Sequence, residues 1–482
     1  MGDIARRRGD GVRARSPAAD PLLSRRTALG FMLAAAGLAA CGDGGDEDGG
    51  VEPSGTAADR SRVAADAYVF GYPLMLIDAT RATATSPVNH FRHATRLPTP
   101  EDHNIVRVDV DTLYSSAWLD LREEPMLFEV PPIEEGRYWM MQLVGAWSNT
   151  VHSVTGVRPR AEVDEPPYVY AVTAPGWTGR LPDNVTPLPM LSPDAWLIGH
   201  VEVKNSDDLA AAREVQNQLK LAPLSTWNTI AHPPSVLLPP LGRELPPVEK
   251  VAAMDARAYF DRMCLLMEQN PPVPDDELTL REFATIGIEP GGSPEGVSDA
   301  ELTAGANEGK RQITVYLDPG SKIRNGWVFD TSVGDYGTNY LMRAAAAMRG
   351  LGANLAEEVL YPSLFATADD DGVPIRFRLR FPPGQTPPVE AFWSLTAYTA
   401  EGWLVPNPAG IYSVGHRIPV VFSPDGTLEL AVQYEDPGSA VPPGNWLPIP
   451  AEGQFSIVLR LYAPKQVALE GKWAPPPLEP LP

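Results

Sequence analysis

Asp111-Thr112-Leu113-Tyr114-Ser115-Ser116-Ala117-Trp118-Leu119-Asp120 decides the fold class. Thr112, Tyr114 and Trp118 are strand formers, and the run reads as a strand. Working outward, the same character returns in Arg137-Tyr138-Trp139-Met140-Met141-Gln142-Leu143-Val144, in Tyr168-Val169-Tyr170-Ala171-Val172 and from Ala195 to Val203. Short strands separated by Gly- and Pro-bearing turns predict a β-sandwich. The 52 prolines cluster in pairs such as Pro131-Pro132, Pro239-Pro240 and Pro442-Pro443. Proline breaks helices and ladders, so the chain reads as mainly β with short elements.

Helices are expected on either side of this block and in the middle of the chain. Residues 59–80 carry apolar positions at helical spacing, and Pro73 should kink or end that helix. Residues 207–221 read as another helix. A helical region follows over 247–360, with helices at 248–269, 279–286, 298–316 and 339–350. Strands return at 375–381, 391–398, 418–422, 428–434 and 455–462, with Asp425-Gly426 as a hairpin turn. The Asp369-Asp370-Asp371-Gly372 run is a further turn and lacks the ligand spacing of a calcium loop.

The N-terminus gives an address. Ser24-Arg25-Arg26-Thr27-Ala28-Leu29-Gly30-Phe31 fits a twin-arginine export signal. The uncharged run from Ala28 to Ala40 is shorter than the ~20 residues a spanning helix needs and suits a signal peptide. It ends in Leu38-Ala39-Ala40-Cys41, a lipobox in which Cys41 is the lipidation site. The alternative is an ordinary cleaved signal with an incidental cysteine. Residues 42–58 are acidic and Gly-rich and read as a disordered tether. The expected division is therefore signal 1–41, tether 42–58, N-terminal β-sandwich with its leading helix 59–246, helical region 247–360 and C-terminal β domain 361–482. The membrane is reached through the lipid anchor only.

Charge and cysteine content narrow the partners. The net charge is −22 over 482 residues, and removing residues 1–41 takes away seven Arg and three Asp, leaving −26. So acidic a protein is not a partner for nucleic acid or anionic lipid. Cys264 is the single cysteine beyond the signal, which excludes a disulfide framework. Its apolar helical setting predicts a buried, inert thiol.

Several motifs appear together in one order. Asp111-Thr112-Leu113-Tyr114-Ser115, Gly136-Arg137-Tyr138, Asn149, Gly156-Val157-Arg158, Ala174-Pro175-Gly176-Trp177 and Trp196-Leu197-Ile198-Gly199 resemble the domain of unknown function numbered 1254. Ala391-Phe392-Trp393-Ser394-Leu395-Thr396-Ala397-Tyr398, Leu404-Val405-Pro406-Asn407-Pro408 and Arg460-Leu461-Tyr462-Ala463-Pro464 resemble its companion, numbered 1214. The resemblance implies an immunoglobulin-like sandwich, a helical insert and a C-terminal jelly-roll-like domain. It implies no reaction, metal or cofactor. Asp109 stands where asparagine is expected, and His200 where arginine is common.

No metalloprotease helix, nucleophile elbow or phosphate loop is present. The candidate catalytic residues are Asp109, Asp111 and Tyr114. If the strand extends back to Asp109, the two carboxylates share a face and can work as acid and base or hold a cation. The alternative is a solvated turn cap. Arg137 and Arg158 offer guanidinium forks for an acidic ligand, or pair with Asp111 or Asp120 as structural salt bridges. Asn149, Trp393 and Asn407 complete the candidate substrate-binding set, with Tyr398, Trp403 and Tyr412 as further aromatic walls or as core. The sequence thus points to an exported protein that binds or hydrolyses a small organic molecule between two β domains. A non-catalytic envelope scaffold is its rival.

Overall fold

A computed structural model describes residues 56–84, 86–103, 106–228 and 245–482. The signal segment, Cys41, nearly all of the tether and His232 lie outside the described residues.

The first helix, α1 (Ala57–Arg81), starts at a capping box. The Thr56 hydroxyl accepts from the Asp59 amide at 3.2 Å, and Asp59 accepts from the Thr56 amide at 2.9 Å. Pro73 lies inside the helix and does not end it, one of the two outcomes expected of it. The one lost backbone bond is outweighed by burial along the whole length, including Leu74, Met75, Leu76 and Ile77 just beyond the proline. The helix packs into the helical layer rather than onto the sandwich core. There it meets α2 (Ala256–Gln269), α3 (Asp299–Val315) and α4 (Tyr340–Gly350). Gly305 and Gly309 allow α3 to approach closely, because a Cβ at either would come within 3 Å of the α1 backbone. The expected 248–269 helix breaks in two at Asp255, whose side chain caps α2. The Cys264 thiol is buried here, and burial pushes it up to about 11.

The N-terminal sandwich is built from β1 (Thr112–Asp120), β2 (Met126–Val130), β3 (Trp139–Gly145), β4 (Thr150–Thr155), β5 (Tyr168–Thr173), β6 (Val185–Pro189), β7 (Asp194–Glu202) and β8 (Lys220–Pro223). One sheet runs β1-β7-β3-β4 and the other β6-β5-β2-β8. Ala117, Leu119, Met141, Leu143 and Leu197 face Phe128, Tyr170 and Val172 across the core. The opposite face of the β1 sheet is also covered. Trp118, Trp196 and Val144 meet the helical layer at one end. Tyr138 and Met140 meet the C-terminal half at the other.

The C-terminal half contains β9 (Ser363–Thr367), β10 (Phe377–Phe381), β11 (Trp393–Thr399), β12 (Ser413–Val414), β13 (Leu428–Gln433), β14 (Trp446–Pro448), β15 (Gln454–Tyr462) and β16 (Leu478–Pro480). One sheet has the order β9-β15-β11-β12, the other β14-β13-β10-β16. Residues 418–422, expected as a strand, are irregular. The Asn445 side chain ties them by accepting from the Val421 amide and donating to its carbonyl. The molecule is mainly β, with mostly antiparallel sheets and a helical region in the middle.

Candidate functional site in the seam between the two β halves

Side chains alternate along β11 and β15. Leu395, Ala397, Phe455, Ile457, Leu459 and Leu461 point into the apolar core of the C-terminal half. Ser394, Thr396, Tyr398, Ser456, Arg460 and Tyr462 take the other face, and all are buried as well. A sheet with one apolar face ordinarily shows its polar face to water. Here that face is pressed against the ends of β1, β7 and β3, and a polar seam is enclosed.

The N-terminal half supplies Asp109, Asp111, Thr112, Tyr114, His200 and Glu202. Asp109 and Asp111 do not lie on an extended strand, as the sequence reading had allowed. The strand starts at Thr112, and the Asp109 carboxylate caps it. It accepts from the Asp111 amide at 2.7 Å and from the Thr112 hydroxyl at 2.6 Å. The cap is therefore buried, not solvated. Having given its proton to Asp109, the Thr112 hydroxyl accepts from His200 Nδ1–H at 3.1 Å, which fixes the imidazole tautomer. Burial lowers His200 to about 4, against the pull of nearby Asp109. The imidazole is therefore neutral at pH 7 and tilts against the Tyr114 ring at 4.6 Å.

Asp111 reaches across the seam. Its Oδ1 accepts from the Ser413 hydroxyl at 3.0 Å, while its Oδ2 is buried without a partner. Burial and the Asp109 charge raise its carboxyl above the ordinary range, and His416, Ser394 and Arg460 pull it back in part. Arg460 donates to the Arg107 carbonyl at 2.7 Å and lies 5.7 Å from the Tyr398 ring centroid, leaving Nη1 unpartnered. Burial works against its charge, but Tyr398, Tyr462 and Asp109 hold it protonated.

Further buried polar atoms without hydrogen-bond partners are the hydroxyls of Ser394, Thr396 and Ser456 and Nε of Arg417. His416 Nε2 lies 3.1 Å from Glu202 Oε1, but off the hydrogen-bonding direction. Native interiors leave few such groups unsatisfied, and each costs about 1–3 kcal/mol. Tyr114 and Tyr361 are only half-buried. Val110, Leu404, Val458, Phe392 and Tyr462 are the apolar side chains packed along the seam.

Of the residues expected to form a site, Asp109, Asp111, Tyr114 and Tyr398 come together, with Tyr412 packed beside them. The others stand apart. Arg137 pairs through both terminal nitrogens with Asp208 at 2.7 Å and donates to the Glu202 carbonyl, so it braces the seam from behind. Arg158 pairs with the buried Glu358 at 2.9 Å and ties the two halves together. Neither guanidinium bonds Asp111 or Asp120. Asn149 accepts from the Tyr336 amide at 3.3 Å in the β3–β4 hairpin. Asn407 staples the 405–411 loop through bonds to Val405 and Ile411. Trp393 packs on the core side of β11 beside Phe381. Trp403 stacks on His103 at 4.6 Å, away from the seam.

Sequence reasoning missed Arg460, Thr396, Ser394 and His416. The available signal was a polar residue at every second position of otherwise apolar strands, in motifs already quoted as a block. Elsewhere a small cleft lies between α1 and β7, lined by Arg81, Trp118, Asp194, Trp196 and Asn270. Its charges are already paired, since Asp194 accepts from Arg122 and Asn270 and lies 2.8 Å from Arg81. Among the described residues, no three His, Cys, Asp or Glu side chains come together as a metal site. No helix among them is long and apolar enough to cross a membrane.

Comparison with known proteins places these two halves. The family described as protein of unknown function (DUF1254) matches residues 88–223, and that described as protein of unknown function (DUF1214) matches residues 358–466. The first match contains β1–β8, and the second runs from just before β9 to just after β15. The crystal structure of the VPA0106 protein from Vibrio parahaemolyticus is similar, with TM-score 0.62 and 20% identity, covering 88% of this chain and 100% of that one. A putative uncharacterized protein from Burkholderia cenocepacia aligns with TM-score 0.43 and 12% identity, over 88% of this chain and 94% of that one. No curated protein matches. The first likeness confirms the β-rich fold, and the paired matches, in this order, establish that the chain belongs to the DUF1254/DUF1214 family.

Proposed function

We propose that this protein is an exported, lipid-anchored binder of a small organic molecule, and that the ligand sits in the seam between the two β halves. One observation carries this reading. Unpartnered, buried polar atoms from both halves, including Asp111 Oδ2 and Arg460 Nη1, come together beside the half-buried Tyr114 and Tyr361. A ligand with hydrogen-bonding groups satisfies them and offsets the cost of their burial.

The seam also supports proton transfer. Asp111, raised by burial and by Asp109, is the acid, and neutral His200, tilted against Tyr114, is the base. Hydrolysis of the bound molecule is the reaction class this pairing serves. The address rests on the twin arginines and the Cys41 lipobox.

The test is extraction of the natively purified protein followed by mass spectrometry of released small molecules. A stoichiometric molecule is expected from the wild type and is lost in Asp111→Asn at unchanged folding. Equal recovery from both, or from neither, contradicts the reading. The address is checked separately, by a diacylglyceryl mass on the Cys41 peptide and release of Cys41→Ala from the membrane fraction. An unmodified Cys41 in the exported protein refutes the anchor.

A further inference from the structure

We infer that the seam takes a small organic carboxylate, its anionic end held by the Arg460 guanidinium and the Ser394 hydroxyl and its carbon chain by the aromatic walls. This rests on the reading of the seam as a ligand site, and it names the class of ligand.

The argument is an inventory of what remains uncommitted. Both Asp109 oxygens are taken, one by the Asp111 amide and one by Thr112. The Tyr398 hydroxyl donates to the Val108 carbonyl at 2.8 Å. What is left is mainly donors, Arg460 Nη1, Arg417 Nε and the hydroxyls of Ser394 and Thr396, with Asp111 Oδ2 as an unpartnered acceptor beside them. A guanidinium cannot accept a hydrogen bond, so the ligand must bring acceptors.

The register places these donors on one patch. Ser394 is directly opposite Arg460 across the β11–β15 pair. Thr396 is opposite Ser413, the residue that donates to Asp111. Directly paired residues on one face have side chains about 5 Å apart, and a two-residue step adds about 7 Å, which spans a small molecule.

Charge selects the same class. Arg107, Arg417 and Arg460 are clustered here, and Arg107 and Arg460 repel one another. Asp109, already used as a cap, and Asp111, whose carboxyl burial raises toward its neutral form, are the carboxylates that face them. Buried positive charge without a partner is costly, and a monoanion supplies the partner. The planar guanidinium fork matches a carboxylate, and Phe392, Tyr462 and Val110 provide apolar surface for an organic tail. A free inorganic anion would leave those walls without a function.

The experiment uses the full chain and matched probes: butyrate and benzoate against butyramide and benzamide, with inorganic phosphate alongside, read by calorimetric titration. The acids are expected to bind at least tenfold more tightly than their amides. Ser394→Ala should weaken the acids several-fold and leave the amides unchanged. Arg460→Lys should keep charge but lose the fork, reducing the preference for acids, and it is the fallback should Arg460→Met fail to fold. Amides binding as tightly as acids, or phosphate binding where the carboxylates do not, overturns the carboxylate assignment and leaves the seam as a ligand site. No binding by any probe, together with no extractable molecule sensitive to Asp111→Asn, overturns both.

Discussion

The two faces of β15 are equally buried and physically opposite. Phe455, Ile457, Leu459 and Leu461 enter an apolar core, whereas Ser456, Arg460 and Tyr462 enter the seam. The first face is self-sufficient, because apolar groups need only contact. The second carries polar atoms that its neighbours do not satisfy. Burial therefore does not distinguish structure from function in this molecule, but the hydrogen-bond ledger does. The core face should respond to mutation in stability, and the seam face in ligand binding.

The largest effect should come from the core. Phe455→Ala is expected to cost about 3–5 kcal/mol in denaturant unfolding, with unchanged ligand content per folded molecule. Loss of ligand at full stability would break the comparison from that side.

Acid should act through the seam. His200 is lowered to about 4 in the folded state from 6.5, so its contribution is complete above pH 6.5 and is lost as pH falls toward 4. That amounts to about 3 kcal/mol at most. His200→Gln should flatten the stability profile over this window. Asp111 acts in the other sense. Its raised carboxyl gives stability that is complete below the ordinary carboxylate range and fades as pH rises through the raised value. Asp111→Asn should remove this loss toward neutral pH. Profiles that coincide with wild type for both variants would mean that neither group is enclosed as described.

A smaller effect is expected at the clamp. Glu358 is fully buried and pairs with Arg158 and Arg160, which are themselves partly exposed. Glu358→Gln should cost about 1–3 kcal/mol by calorimetry. Thr396→Val, on the seam face, should change stability by less than about 0.5 kcal/mol, since its hydroxyl bonds nothing, while reducing ligand recovery.

Much of this contrast was legible in the sequence, but unevenly. The strand beginning at Thr112 and the Asp109–Asp111–Tyr114 group were readable, because strand formers and clustered acids are local signals. Burial of Asp109 was not, since the covering surface comes from strands about 300 residues away. Trp393 and Asn407 looked like ligand contacts by residue type, yet alternation on β11 sends Trp393 to the core and local bonding commits Asn407 to its own loop. Pro73 reads as a kink or an end because propensity is local, whereas burial on both sides of it is tertiary. Arg460 carries no local signal, since one arginine in an apolar strand has no meaning until the face it occupies is known.

The central claim is that the seam face of β11 and β15 is built around a bound molecule. A high-resolution crystal structure of the natively purified protein tests it most directly. The account predicts organic density within hydrogen-bonding distance of Arg460 Nη1 and Asp111 Oδ2. A seam in which Ser394, Thr396 and Arg460 turn onto one another and close over ordered water alone would contradict it.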